Sequence, residues 1–273
     1  MLPLSFHKTF IPERRLISAL LEYVGLGKEG TLQEISAETG IPMGKSSGKT
    51  PAIIDYARGM GLITVTKGAG AGIKRPSLTP LGKIVYLEDK YLGEEIVQWL
   101  MHMNLCRSDI GAAAWRAAFA DGRHVIGSNF TKQQLEDYLI EKFGDGKDRT
   151  GPMILAYSDD AALGRAGVIK LKDNLLIRKK APILSDYSIA YSAYLNELLE
   201  IFFQDQGQVT LTDLNQQTQW FNICLWNDSD IEQVLMMIEN TGYIGIDRQM
   251  HPWLLEKKVE ADKVWPLIFD DLG

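Results

Sequence analysis

The residues from Gly44 to Thr50, GKSSGKT, are the first place in the sequence to look for chemistry. Their Gly-Lys-Thr ending is that of a phosphate-binding loop, and Gly44, Ser46 and Gly48 fit the G-x-S-x-G of a hydrolase elbow. Both motifs need a strand immediately before them. A Walker loop also needs glycine where Met43 stands, and the preceding AETGIP reads as a helix end followed by a turn. Neither an ATP site nor a serine nucleophile is expected, and no nucleotide cofactor. What is left is a lengthened turn carrying phosphate-binding groups. Lys45 and Lys49 are cations, Ser46, Ser47 and Thr50 carry hydroxyls, and the helix beyond offers free backbone N–H groups.

Other chemistry-bearing residues follow along the chain. Lys67, Lys74 and Arg75 flank a glycine-rich tip, KGAGAGIKR, able to track a DNA backbone or enter a minor groove. Asp55, Tyr56 and Arg58 are read as the outward polar positions of the helix after the turn, too few for strong base readout, so backbone-dominated binding is expected. His102 and Cys106 stand four apart, but two ligands do not make a metal site, and packing is the better reading. Met153 to Tyr157, a strand-like or buried apolar segment, delivers Asp159 and Asp160. Neighbouring carboxylates can hold Mg²⁺ or another divalent cation for phosphodiester cleavage, with Lys170 and Lys172 of the basic segment that follows to offset charge. The competing reading makes Ser158 or Asp159 the cap of a helix over DDAALGRAG, and the usual acid-then-(D/E)-x-K nuclease spacing is not present.

The elements that must position these residues read as follows. Leu16, Ile17, Leu20, Leu21 and Val24 give a first helix; Thr31 and Glu34 form a capping box for a second; Thr50 as N-cap and Pro51 at the first helical position open a third, with Ile53, Ile54, Ala57 and Met60 inward. Leu62 to Thr66 begins a hairpin, after which Thr79 and Pro80 start another helix. Three helices and a hairpin predict a winged helix-turn-helix over residues 1–90. Residues 91–184 read as a mainly helical middle, including TKQQLEDYLIEKF capped by Thr131. Residues 185–273 begin with a long helix from Ser185, suited to a core or to homodimerisation, and then repeat a helix, helix and strand order as a winged-helix-like interaction module. The fold class expected is mainly α with small β-hairpins, α+β.

Hydrophobic residues make up 45% of the 273-residue chain, enough for real cores. The two cysteines form no C-x-x-C, and the N-terminus lacks a long apolar core after a basic start, so a cytoplasmic protein without a membrane span is expected. The net charge of -6 hides a gradient: residues 181–273 hold 4 Lys+Arg against 15 Asp+Glu, whereas residues 1–90 hold 12 against 8. Any polyanion belongs at the first end.

The opening block, at Phe6 to Phe10, Ile41 to Lys49 and Ala52 to Leu62, resembles a bacterial family encoded beside phosphoadenosine-phosphosulfate-reductase-like enzymes in DNA phosphorothioation and phage-defence clusters. Its best-defined members are SspB-like DNA nickase components. The resemblance implies double-stranded DNA as substrate, nicking that admits sulfur, and partnership with sulfurtransferase-like and ATPase components. It assigns no catalytic residue. A non-enzymatic DNA-binding adaptor or transcriptional regulator is the alternative.

Overall fold

The computed structural model describes residues 1–43, 48–146, 149–249, 251–270 and 272. They form a mixed α+β protein, as expected, in two compact units, Met1–Lys179 and Lys180–Gly273.

In the first unit, α1 (Arg14–Gly25) buries Leu16, Ile17, Leu20, Leu21 and Val24 along one stripe. Next comes α2 (Leu32–Thr39), whose N-cap Thr31 and Glu34 satisfy each other's backbone N–H, and which ends at Gly40 in the left-handed region, φ 70°. Then follow α3 (Lys49–Gly59), the antiparallel hairpin β1 (Ile63–Lys67) and β2 (Lys74–Leu78), and α4 (Pro80–Glu88), capped by Thr79 with Pro80 in the first turn. α5 (Glu95–Leu105) is buried from Ile96 to Leu105, so it runs through the core rather than over it. After α6 (Ala113–Phe119) the chain continues through β3 (Asn129–Thr131), α7 (Lys132–Phe143), α8 (Thr150–Ser158), β4 (Ile169–Lys172) and β5 (Leu175–Arg178). The second unit runs α9 (Ser188–Phe202), β6 (Val209–Thr210), α10 (Leu211–Thr218), α11 (Trp220–Ile223), α12 (Asp228–Asn240), β7 (Ile244–Asp247), β8 (Leu254–Lys257) and α13 (Ala261–Val264). Trp220, Trp226 and Trp265 fill its core.

One topology recurs three times among the described residues. A short extended piece leads into two or more helices and then a hairpin, and the short piece pairs with the hairpin's second strand. Gly30 bridges Lys74 in the first copy, β3 pairs β5 in the second and β6 pairs β8 in the third. The residue immediately before the helix is a threonine each time, Thr31, Thr131 and Thr210, whose hydroxyl accepts from the backbone N–H three residues on.

Several local expectations are corrected. Helix α3 starts at Lys49, so Thr50 is not its N-cap and Pro51 is its third residue; Gly48, at φ 51°, takes the cap position, and Lys49 and Thr50 both donate N–H to the Pro42 carbonyl. Tyr56 faces inward, fully buried, with its hydroxyl donating to the Phe10 carbonyl at 3.0 Å. Met153 to Tyr157 is helical, not a strand, and the residues after Ser158 turn instead of forming the helix read from DDAALGRAG. The long helix starts at Ser188, after a 3-10 turn over Ser185–Tyr187.

Candidate nucleic-acid interface

Lys45, Ser46 and Ser47 lie outside the described residues. Lys49, beside them, is half-buried and occupied: its Nζ is 2.5 Å from a Glu13 carboxylate oxygen and 5.2 Å from the centre of the Phe10 ring. Thr50 is fully buried and donates its hydroxyl to the Ile41 carbonyl at 3.0 Å, tying the start of the turn, just past the Gly40 cap of α2, to the first turn of α3 from inside. On α3, Arg58 reaches back to Asp55 at 2.9 Å. Burial pushes the Asp55 carboxyl up, and the Arg58 charge opposes that shift.

The first hairpin offers a different surface. Lys67 and Lys74 stand directly opposite each other at its tip, where the connecting loop leaves the strands, and neither makes an ion pair among the described residues. Arg75 points to the other face, where its Nε donates to Glu29 at 2.5 Å. That carboxylate raises the Arg75 pKa and neutralises part of its charge. The pair Lys67 and Lys74 is therefore the exposed positive charge that the first ninety residues present most plainly. Like charges directly opposite on two strands repel, so their placement costs stability unless an anion lies between them.

Asp159 and Asp160 sit on the turn that ends α8. Asp159 accepts the Ala161 N–H at 2.8 Å, closing its own turn, and Asp160 is exposed while its carbonyl accepts from Arg14 at 2.7 Å. No group of three or more His, Cys, Asp or Glu able to hold a metal occurs among the described residues. His102 and Cys106 are core residues: His102 Nδ1 lies 2.6 Å from the Tyr157 hydroxyl and 3.9 Å from Cys106 Sγ, and burial pushes the thiol pKa up. The Trp115 indole N–H donates to the same Tyr157 oxygen at 3.1 Å, so these polar atoms serve packing.

A basic feature that reading by composition left unshaped is the second hairpin, β4 and β5. Ile169 pairs with Arg178 and Lys170 with Ile177, and Asp173 takes φ 55° in the two-residue connection. The signal was the Asp-Asn dipeptide between one short alternating run, Ile169 to Lys172, and one apolar run, Leu175 to Ile177.

No family model and no curated protein matches the sequence. Solved structures do match in fold, among them two of SspB. One is a crystal structure of SspB and the other is a crystal structure of SspB with magnesium ion bound; each superposes with a TM-score of 0.66 at 14% identity, covering 98% of this chain and 87% of the other. The chain shares its fold with SspB. At that identity no side chain can be carried across, and what the SspB crystals add is the completeness of the match, which includes the helical middle and the acidic end as well as the first ninety residues.

Among the described residues no helix is long and apolar enough to cross a membrane. Charge divides by unit: residues 1–179 hold 24 Lys+Arg against 20 Asp+Glu, net +4, and residues 180–273 hold 5 against 15, net -10.

Proposed function

We infer that the protein is the DNA-binding component of a bacterial DNA phosphorothioation and phage-defence system, and that it hydrolyses one phosphodiester of a duplex so that sulfur can be introduced. The observation carrying this reading is the full-length fold match to SspB, joined to an unpaired Lys67 and Lys74 at the tip of a hairpin beside a three-helix cluster. In it, residues 1–90 act as a winged helix-turn-helix, the turn Lys45, Ser46, Ser47 and Lys49 and the hairpin Lys67, Lys74 and Arg75 meet backbone phosphates, and Arg58 lies along the groove. Thr50 holds the turn in shape from beneath. Asp159 and Asp160 would hold Mg²⁺ together with a substrate phosphate, and the ion would polarise the scissile phosphoryl oxygen. The acidic second unit, like-charged with DNA, is assigned to protein partners of the sulfurtransferase and ATPase kinds or to a second copy of the chain.

A second reading, a non-enzymatic adaptor or regulator, is favoured by the Asp159 carboxylate being engaged with its own turn. Supercoiled plasmid separates the two. Relaxed circles that form with Mg²⁺, disappear with chelator and are lost in D159A/D160A while gel-shift affinity is unchanged support the nickase. A gel shift without cleavage supports the adaptor, and no shift at low salt removes both.

A further inference from the structure

The second and third hairpins have the same register, which permits a position-by-position comparison. Ile169 lies opposite Arg178, and Ile244 lies opposite Lys257; each hairpin then runs four pairs to a two-strand end. Because side chains alternate faces and cross-strand partners share one, the core face of the second hairpin holds Ile169, Leu171, Leu176 and Arg178; Ile169, Leu176 and Arg178 are buried, and Leu171, next to the connection, is exposed. Arg178 lies in that core with its guanidinium 5.2 Å from the Phe119 ring centre and donates to the Phe119 carbonyl, which pins the hairpin to α6. The opposite face therefore has a fixed direction, outward.

That outward face carries Lys170 and Lys172 on β4, and Lys179 just past β5, whose N–H continues the ladder to the Val168 carbonyl. Between them stand Leu175 and Ile177, and no carboxylate occupies the face. None of the three lysines makes an ion pair among the described residues. Lys170 and Lys179 are close enough that burial and the neighbouring ammonium together hold Lys179 below the usual lysine value, with Glu95 the carboxylate that partly offsets this. In the third hairpin the same positions are Gly245, Asp247, Glu256 and Lys258, and Lys258 is neutralised by Glu256 at 2.7 Å. Its remaining cations are paired as well, Lys257 with Glu200 and Glu260 and Arg248 with Glu239. One scaffold thus appears once with a saturated charge pattern and once with three cations left open.

We propose that the outward face of the second hairpin, Lys170, Lys172 and Lys179, is a phosphate-contacting surface that grips duplex DNA alongside the first hairpin. This rests on the DNA-binding reading above and extends it from one hairpin to two. Three ammoniums on one face, none in an ion pair among the described residues, form a stable arrangement when phosphate oxygens lie over them, and the alternating strand positions set them on a line a nucleic-acid backbone can follow. Leu175 and Ile177 keep acids and competing hydrogen-bond acceptors out of that line.

The test is the salt dependence of full-length protein binding to a fluorescein-labelled duplex, by anisotropy, for the wild type, K170Q/K172Q/K179Q, K67Q/K74Q and K258Q. Each lysine that contacts a phosphate contributes about 0.9 to the slope of log K against log salt. Removing all three should reduce that slope by roughly 2 to 3, with at least about a tenfold loss of affinity at low salt, whereas K258Q should leave both unchanged. Thermal melts of the exposed-lysine variants should match the wild type. An unchanged slope in K170Q/K172Q/K179Q, with K67Q/K74Q reducing it, overturns the second contact and leaves the first. A wild type that binds no duplex overturns both.

Discussion

At the scale of single residues, polar groups in the first unit divide into those committed inside and those left open. Thr50 belongs to the first kind. Its hydroxyl shares the Ile41 carbonyl with Ser36 Oγ, 2.6 Å away, so Thr50→Val removes one donor without orphaning the acceptor. A loss of about 0.5 to 1.5 kcal/mol is expected in urea unfolding; a variant as stable as the wild type would mean that the hydroxyl does not hold the turn. Asp109 carries a pH signature. Burial works against its ionisation, but hydrogen bonding and charge from Arg107, with Nη2 at 2.6 Å, outweigh that and hold the carboxyl below the usual carboxylate range. A lowered native pKa contributes stability that is present above the unfolded value of about 3.9 and is lost as pH falls through the native one. Arg107 is itself buried, so D109N should cost about 1.5 to 3 kcal/mol at neutral pH. The difference from wild type should narrow below about pH 4. A difference independent of pH would show that the ionised pair is not its source.

At the scale of elements, the repeated threonine caps and one close crossing are what hold helices to hairpins. Thr131→Ala removes the hydroxyl that accepts the Gln134 N–H at 3.2 Å and should destabilise the protein by about 1 kcal/mol. Gly82→Ala should cost more. A Cβ there would meet the Leu62 carbonyl oxygen at 1.8 Å, backbone that cannot swing aside, so α4 must lift from the strand entry of β1. A loss of 1 to 3 kcal/mol or more, roughly, is expected in thermal unfolding. Much of this layer was legible in the sequence. Thr31 with Glu34, Thr79 before Pro80, and Thr131 cap the helices they suggest, because a cap is a local hydrogen bond from the backbone N–H three residues on. The second hairpin was not legible as one. Its core face contains a charge, Arg178, and its outward face contains Leu175 and Ile177, so the apolar alternation that marks a half-buried strand is inverted at these positions. Tyr56 was misplaced for a related reason: its hydroxyl suggests a surface, but a backbone acceptor at Phe10, 46 residues away, satisfies it in the core. The lysines of the candidate interface were visible by type. Which of them are already paired was not, since Glu13 for Lys49 and Glu29 for Arg75 are tertiary neighbours.

At the scale of the whole molecule, two units carry separate cores and opposite charge, +4 over residues 1–179 and -10 over residues 180–273. The first is built around α5 and the aromatic cluster of Trp115, Phe119 and Tyr157; the second around α9, with Tyr191 and Tyr194 packed on Trp220 and Trp226. Units with cores of their own need not unfold together. Leu198 on α9 is fully buried in the second core. Leu198→Ala removes three side-chain carbons, two of them methyls, from that core and should lower the stability of the second unit by about 2 to 5 kcal/mol. Because each unit is built on a core of its own, the expected calorimetric trace is a split one, with the transition of the second unit moved to lower temperature and that of the first left in place. A single transition that moves as a whole in the variant would show that the two units unfold as one cooperative body, and that the acidic end stabilises the basic one.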